Sequence, residues 1–575
     1  MSVSNPAQSE VSWTSIATGL NPGTHGLFDF VHRNPADYTL HVSLLPTKKA
    51  IFGIQFASPH NAHTIFDQSV ENGYPATTLW WPATFPARRE SPVHTIPGLG
   101  TPDILGRLGV GTYFSLDPNA SGEGYKTNVE HLEQLGKHKA RGLLKGPLRK
   151  MKKGEAIQAA EAFELDWINE KEARLTLGKQ EIPLEKGQWS SFLEIPFKMQ
   201  LGVSVHAITQ VLLTENTFGP GLYFLPLQIH PLHASWPYAN PNSLGKQLWR
   251  DLGPFHTLGW PQDTTGLDEG FMEDSHFLQL CDDILSVRER VLMNQIQSFQ
   301  EGMLAIVFDS LDRVQHMFWR DRPDILEKWY TQLDSLSGRI EEEIHQHGHQ
   351  DTRLLIVSDH GFSEFNYKVH LNRWLIESGF LVTHGAENQG TLDHVDWSRT
   401  RAYAVGLSSI YLNMKGRESE GVVDEHEGIS LANEIKEALL HWEGPDKRKV
   451  VRNVWLREEA FHGPLTPYAP DLVVGFNAGY RASGQTGLGG WGTEALEVNT
   501  DHWGADHCID PDLVQGVIFS NVSLEDLPHP SYTDIPELTI GDTLTPKAIP
   551  PTQPPTYSDE DREILEERLK DLGYL

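Results

Sequence analysis

Two apolar runs that each end in acid constrain this chain most. Leu304-Ala305-Ile306-Val307-Phe308 runs into Asp309, and Leu354-Leu355-Ile356-Val357-Ser358 runs into Asp359-His360-Gly361. Such runs predict strands buried on both faces, with carboxyl ends opening into polar turns. Asp312 and His316 follow the first run four residues apart, so a helical turn puts both side chains on one face. An Asp-His pair at a strand end is costly to bury without a partner or an ion. Ligands gather at the carboxyl ends of strands in parallel sheets. The two runs together predict a metal site along one sheet edge, to which Asp506-His507 can add a further imidazole.

The 575 residues are enough for one large domain with an insertion, or for two to three ordinary domains. A formal charge of −30 opposes nucleic-acid phosphates, so no nucleic-acid polymer is expected as a partner. It leaves a small phosphoester substrate open, because divalent cations reverse the sign locally. Cys281 and Cys508 are the only cysteines, too few for a disulfide framework or a thiolate metal site. With 27 histidines and 77 acids, nitrogen and oxygen ligation is the default for any metal. No apolar run approaches membrane-spanning length, and no signal peptide opens the sequence. The compartment stays open between the cytoplasm and, given an upstream leader, the periplasm.

Along the chain, Val11 to Gly19 reads as the first helix of a core, stopped by the turn-rich Gly19–Gly26. Ala50 to Ser58 suggests a strand or short helix, and Thr77 to Pro82 a strand end. Lys137 to Lys153 is locally basic and reads as a solvated face. Short alternating runs from Phe163 to Ile229, bounded by Gly, Pro and Asn, predict antiparallel β structure. Phe277 to Gln297 returns to helix. Ala402–Val405, Ser409–Asn413 and Asp471–Val474 read as strands, and Ile429 to Trp442 as an amphipathic helix. Ser558, Asp561 and the Ile564/Leu565/Leu569/Leu572 stripe mark a last helix after a proline-rich strap.

These elements predict an α/β core with a central, mostly parallel sheet flanked by helices and interrupted by a β-rich insertion. The expected divisions are 1–135 and 266–545 for the two parts of the core, 136–265 for the insertion, and 546–575 for the strap and helix. Five ligands of the Asp312, His316, Asp359, His360 and His507 kind suit two zinc-like ions that clamp a displacement at phosphorus. Ser9 and Thr14, at or near a helix start, are the candidate nucleophiles; Ser9 can equally cap that helix. Asp309 reads either as a carboxylate that orients a ligand or as a cap. Trp80, Trp81 and Trp189 read as core or domain-contact residues.

Taken in order, Ser9 to Gly26, Asp309-Ser310-Leu311-Asp312-Arg313-Val314-Gln315-His316, Ser358-Asp359-His360-Gly361 and Asp506-His507 resemble the alkaline phosphatase superfamily, in its type I phosphodiesterase/nucleotide pyrophosphatase branch. Phe28 to Pro35, the Leu79-Trp80-Trp81-Pro82 strand end and the mid-chain insertion resemble an uncharacterised prokaryotic group of that branch. The resemblance implies a two-metal site, zinc or manganese, with Asp312, His316 and His507 on one ion and Asp359 and His360 on the other. It implies Ser9 as nucleophile, forming a covalent phospho-serine that a hydroxide then releases. It also implies a strand ending in a metal-binding Asp upstream of the nucleophile. Only eight residues precede Ser9, so the first core strand is expected to be missing from the chain as given, with a weakened second metal site. Val11 and Trp13 stand where a sulfatase needs Pro and Arg, which argues against formylglycine chemistry. A phosphomonoesterase or phosphoglycerate-mutase-like phosphotransferase is a lesser alternative. An inactive relative that serves as a binding module is the alternative from another class.

Overall fold

The computed structural model describes residues 1–48, 55–150, 156–200, 202–347, 351–385 and 388–541. The proline-rich strap and last helix expected at 546–575 lie outside the described residues, as does most of the element expected at Ala50–Ser58. The chain is α/β. It divides into two compact units: Met1–Thr77 with Ile296–Leu304 and Gln315–Leu575, and Thr78–Gln295 with Ala305–Val314.

The first unit opens with the helix Ser9–Thr18, closed by Gly19 in the left-handed region at φ 66°. That conformation costs glycine no steric penalty, so the helix stops there. Glu10, Val11, Ser12 and all residues from Thr14 to Thr18 are buried, so the helix is enclosed on nearly every face by its unit. Strand Ser363–Val369 pairs in parallel with Gly479–Ala482 and antiparallel with Leu496–Val498. Its first residues also meet the short strand Ala505–Asp506, with Ser363 opposite Asp506. A second sheet runs in the order Ala402–Ala404, Ser409–Leu412, Leu472–Phe476, Val451–Leu456, and its two central strands are fully buried. Helix Glu425–His441 packs on Val451–Leu456. Helix Pro323–Gln346 buries Ile325, Trp329, Leu336, Ile340 and Ile344, a stripe at helical spacing.

Phe28 to Pro35 fixes the opening segment to that second sheet. The Asp29 carboxylate accepts from Leu407 N–H, Ser408 N–H and Ser409 Oγ, the last at 2.8 Å. Arg33 donates to the Tyr403 hydroxyl at 3.0 Å and to Glu418 at 2.8 Å, and its guanidinium lies over the Tyr411 ring. These acids and bases are paired inside the fold, so their role is to join distant parts of the chain.

The second unit is rich in β structure. A five-stranded antiparallel sheet spans residues 133–185, and Lys139–Lys150 pairs with Ala156–Trp167 inside it. The described part of the basic run has a solvated face on this sheet: Lys139 and Arg141 pair with Glu164, and Lys145 pairs with Glu130; residues 151–153 lie outside the described residues. A three-stranded sheet joins Leu193–Gln200, Val203–Thr209 and Gln228–Ile229. Helix Asp274–Ser298 covers the span expected to be helical. Trp80 and Trp81 are core residues, and the Trp189 indole donates to the His276 carbonyl.

The apolar runs at Leu304–Phe308 and Leu354–Ser358 contain strands, Met303–Ile306 and Leu355–Val357, but these are half-buried where burial on both faces was expected. Each has little sheet around it. Met303–Ile306 is the outer member of a three-stranded sheet, and Leu355–Val357 pairs only with Ile518–Ser520 among the described residues. Without neighbours on both flanks, apolar composition alone does not bury a strand.

Candidate active site and metal centre

The three histidines of the site lie in the first unit, on segments that follow strands. His360 follows Leu355–Val357, and His507 follows Ala505–Asp506. His316 lies in the last turn of helix Ser310–Phe318. Each imidazole places Nδ1 against a backbone carbonyl: His316 on Ala505 at 2.8 Å, His360 on Gly361 at 3.0 Å and His507 on Ala7 at 2.7 Å. A carbonyl can only accept, so Nδ1 carries the proton in all three and the ring lone pair is left on Nε2. All three rings are buried. His360 and His507 stack with centroids 3.5 Å apart, and His316 stacks on Trp503 at 3.7 Å.

Ser9 is not the helix cap. Gln8 occupies that position without a side-chain capping bond, its own amide oxygen being taken by Phe30 N–H. Ser9 is the first helical residue, and its Oγ lies 3.1 Å from Nε2 of His360. Since that nitrogen bears the lone pair, the hydroxyl donates. Asp359 Oδ2 lies 3.2 Å from the same nitrogen. Thr14, the other candidate nucleophile, turns its hydroxyl back onto the Glu10 carbonyl inside the helix.

Asp312 stands one turn before His316 on the same helix. His316 and His507 each offer a ring nitrogen, and these atoms lie within 4.8 Å of one another. Asp359 and His360 form a close pair, but no third ligand-type group joins them at that reach among the described residues. Asp309 belongs to a different network in the second unit: Arg288 grips it with both guanidinium nitrogens, at 2.7 and 3.0 Å, and Gln262 donates to it.

Asp506, His507 and Cys508 also cluster, but their chemistry argues against a metal. Asp506 Oδ1 accepts from His507 N–H and Cys508 N–H, and Oδ2 from the Trp503 indole, with Arg481 3.0 Å away. Burial pushes this carboxyl up, and Arg481 with His507 and His316 more than reverses it, leaving it well below the usual carboxylate range. Burial first, then the Asp506 charge, pushes the Cys508 thiol far up, so it is no thiolate ligand. Asp506 instead fixes the turn that presents His507.

Sequence reasoning passed over Asp506 as a positioning group, and with it Trp503, Phe362 and Glu10. Phe362 lies against His316, His360 and His507. Its signal was its place directly after Asp359-His360-Gly361. Trp503 was legible only as an aromatic four residues before His507. Glu10 is fully buried beside Ser9; desolvation first, then Asp29 and Asp359, push its carboxyl up to about 8.

The donor set fits a divalent metal. Three imidazoles in one tautomer, each locked by a carbonyl, and two half-buried carboxylates are an N/O set suited to zinc or manganese.

The family model described as type I phosphodiesterase / nucleotide pyrophosphatase matches residues 1–174 and 251–503. No curated protein matches the chain. Among solved structures, phosphonoacetate hydrolase from Sinorhizobium meliloti in complex with phosphonoformate is similar at 14% identity and a TM-score of 0.41, covering 93% of this chain and 84% of that one. Human ectonucleotide pyrophosphatase / phosphodiesterase 5 is similar at 13% identity and a TM-score of 0.26, covering 45% of this chain and 57% of that one. The family match takes in Ser9, Asp312, His316, Asp359 and His360 and stops just before His507. The chain belongs to the type I phosphodiesterase / nucleotide pyrophosphatase family of phosphoester hydrolases.

Proposed function

We propose that this chain is a metal-dependent hydrolase of small phosphodiesters that works through a phospho-serine on Ser9. The observation that carries the reading is the shared tautomer of His316, His360 and His507, with the Ser9 hydroxyl against one of them. Asp312, His316 and His507 would hold one ion, and Asp359 and His360 a second; zinc suits the set best. Bound ions would supply positive charge that neutralises phosphate oxygens and eases loss of the serine proton.

The chain's own part is position. Ser9 Oγ attacks phosphorus, its proton passes to solvent, and the bond from phosphorus to the alkoxide breaks, the alkoxide taking up a proton from water as it departs. Water then cleaves the phospho-serine and restores the hydroxyl. Ser9 begins a ten-residue helix with no side-chain cap, so first-turn N–H groups are available to the developing negative charge.

The test is metal content measured beside hydrolysis of bis-p-nitrophenyl phosphate, for the wild type, His316→Ala and Asp359→Ala. Loss of both metal and turnover in each variant supports the reading. Undiminished turnover in either variant overturns it. Metal bound without any turnover in the wild type favours a family member that uses the cleft for binding.

A further inference from the structure

The second unit holds a cleft of about 480 Å³, within the usual range for small-molecule sites, lined by cationic and imidazole side chains. We propose that this cleft binds the phosphate group of a small phosphorylated molecule. The proposal rests on its own observations and does not depend on the hydrolase reading.

Arg89 and Lys246 line the cleft together with His206, His233, Ser204 and Asn242. In a chain of net charge −30, a concave site carrying two permanent cations is a local reversal of sign. No carboxylate pairs with Arg89 or Lys246 among the described residues. The nearby acid Glu194 is engaged elsewhere, 3.1 Å from Nε2 of His230, whose Nδ1 accepts from Leu232 N–H. His206 and His233 stack with centroids 4.3 Å apart. Burial first, then the neighbouring His233 and His230, push the His206 imidazole down. An anion placed against the pair would relieve that repulsion.

Two further features point to a polar ligand. Asn242 opens the eleven-residue helix Asn242–Leu252, whose N-cap, Pro241, makes no side-chain capping bond. Lys246 follows one turn later on the same face, so helix N–H groups and an ammonium lie on one side of the cleft. Tyr238 also lines the cleft, is 1% exposed, and has a hydroxyl with no hydrogen-bond partner. Unpaired buried hydroxyls are rare and mark places where a polar ligand or water belongs. An oxyanion with several acceptor oxygens suits a guanidinium, an ammonium and imidazoles better than a carboxylate does. Trp236 gives the lining an aromatic surface for the organic part of the ligand.

The test is protection of His206 and His233 from diethyl pyrocarbonate, read by peptide mass spectrometry on the full, metal-loaded chain. The probes are inorganic phosphate and glucose 6-phosphate, each at about 10 mM, roughly ten times a millimolar Kd. Expected is at least about a tenfold slower modification in the wild type, abolished in Arg89→Ala/Lys246→Ala. Stronger protection by the sugar phosphate assigns a carried phosphate; equal or stronger protection by inorganic phosphate assigns the free ion, and overturns the carried form. Absence of protection by both, or equal protection in the double variant, overturns the site. Thermal melting shows that the variant is folded. Hydrolysis of bis-p-nitrophenyl phosphate on the same samples reads the catalytic centre separately, and is expected to be unchanged in the double variant.

Discussion

The Ser9 hydroxyl lies 3.1 Å from Nε2 of His360, a contact between residues 351 positions apart in the chain. It sets the proposed nucleophile beside an imidazole whose other nitrogen is already committed to a carbonyl. Ser9→Ala removes the attacking oxygen and little else, since the residue is not the helix cap. Turnover of bis-p-nitrophenyl phosphate is expected to fall at least about a thousandfold. Metal content and melting temperature are expected to stay close to wild type. A fall in both, matching the fall in turnover, would instead mark Ser9 as structural.

Asp506 offers a test of positioning. Its carboxylate accepts both N–H groups that follow it and the Trp503 indole, so it shapes the turn carrying His507. Asp506→Asn keeps the size, loses the charge facing Arg481, and is expected to weaken metal binding about 10- to 100-fold. Titration with zinc in the presence of a competing chelator checks this. Excess zinc is expected to restore turnover in Asp506→Asn, whereas His507→Ala, which lacks the ligand itself, stays inactive.

Metal removal is expected to destabilise the first unit, which carries four of the five proposed ligands. An ion that binds the folded form at about a thousand times its Kd adds about 4 kcal/mol. Dialysis against EDTA should therefore lower the melting transition of the first unit by several degrees, and zinc should restore it. Differential scanning calorimetry checks this; an unchanged melting transition after metal removal would show that no ion is held by the folded form.

Much of this was legible because it is local. The four-residue spacing of Asp312 and His316 survives as one helical turn, and Asp359-His360 follows its strand directly. The helix Ser9–Thr18 and its glycine stop were readable from composition. The shared tautomer was not, because it depends on carbonyls of Ala7, Gly361 and Ala505 that only the fold brings to the rings. The burial of the two metal-side strands was misjudged for a similar reason: an apolar run does not reveal how many neighbours its strand will have. Phe28 to Pro35 carried a family likeness, yet its acids and bases prove to be internal pairs, Asp29 with the Ser408–Ser409 turn and Arg33 with Glu418. The cationic cleft draws on residues from 89 to 246 and leaves no periodic trace.

Acid should loosen the first unit through two histidines near its start. Burial first, then His41 and Arg33, pushes His32 down to about 3; burial, with Arg33, pushes His41 down to about 4. Phe28 N–H donates to Nε2 of His32, an acceptor that protonation would remove. Both groups are neutral in the fold and take up protons on unfolding below the ordinary histidine value of about 6.5. Their stabilising contribution is whole above that value and is lost as pH falls towards 4, by about 1.4 kcal/mol per pH unit for each imidazole. Glu10 acts with the opposite sign: its folded value of about 8 exceeds the ordinary 4.5, so its contribution is lost as pH rises through that interval. Urea unfolding between pH 4 and 9 on the wild type, His32→Gln and His41→Gln separates these effects. Each variant is expected to flatten the slope between pH 6.5 and 4 while leaving the alkaline limb unchanged. Equal slopes in all three proteins would show that neither imidazole is held neutral by the fold.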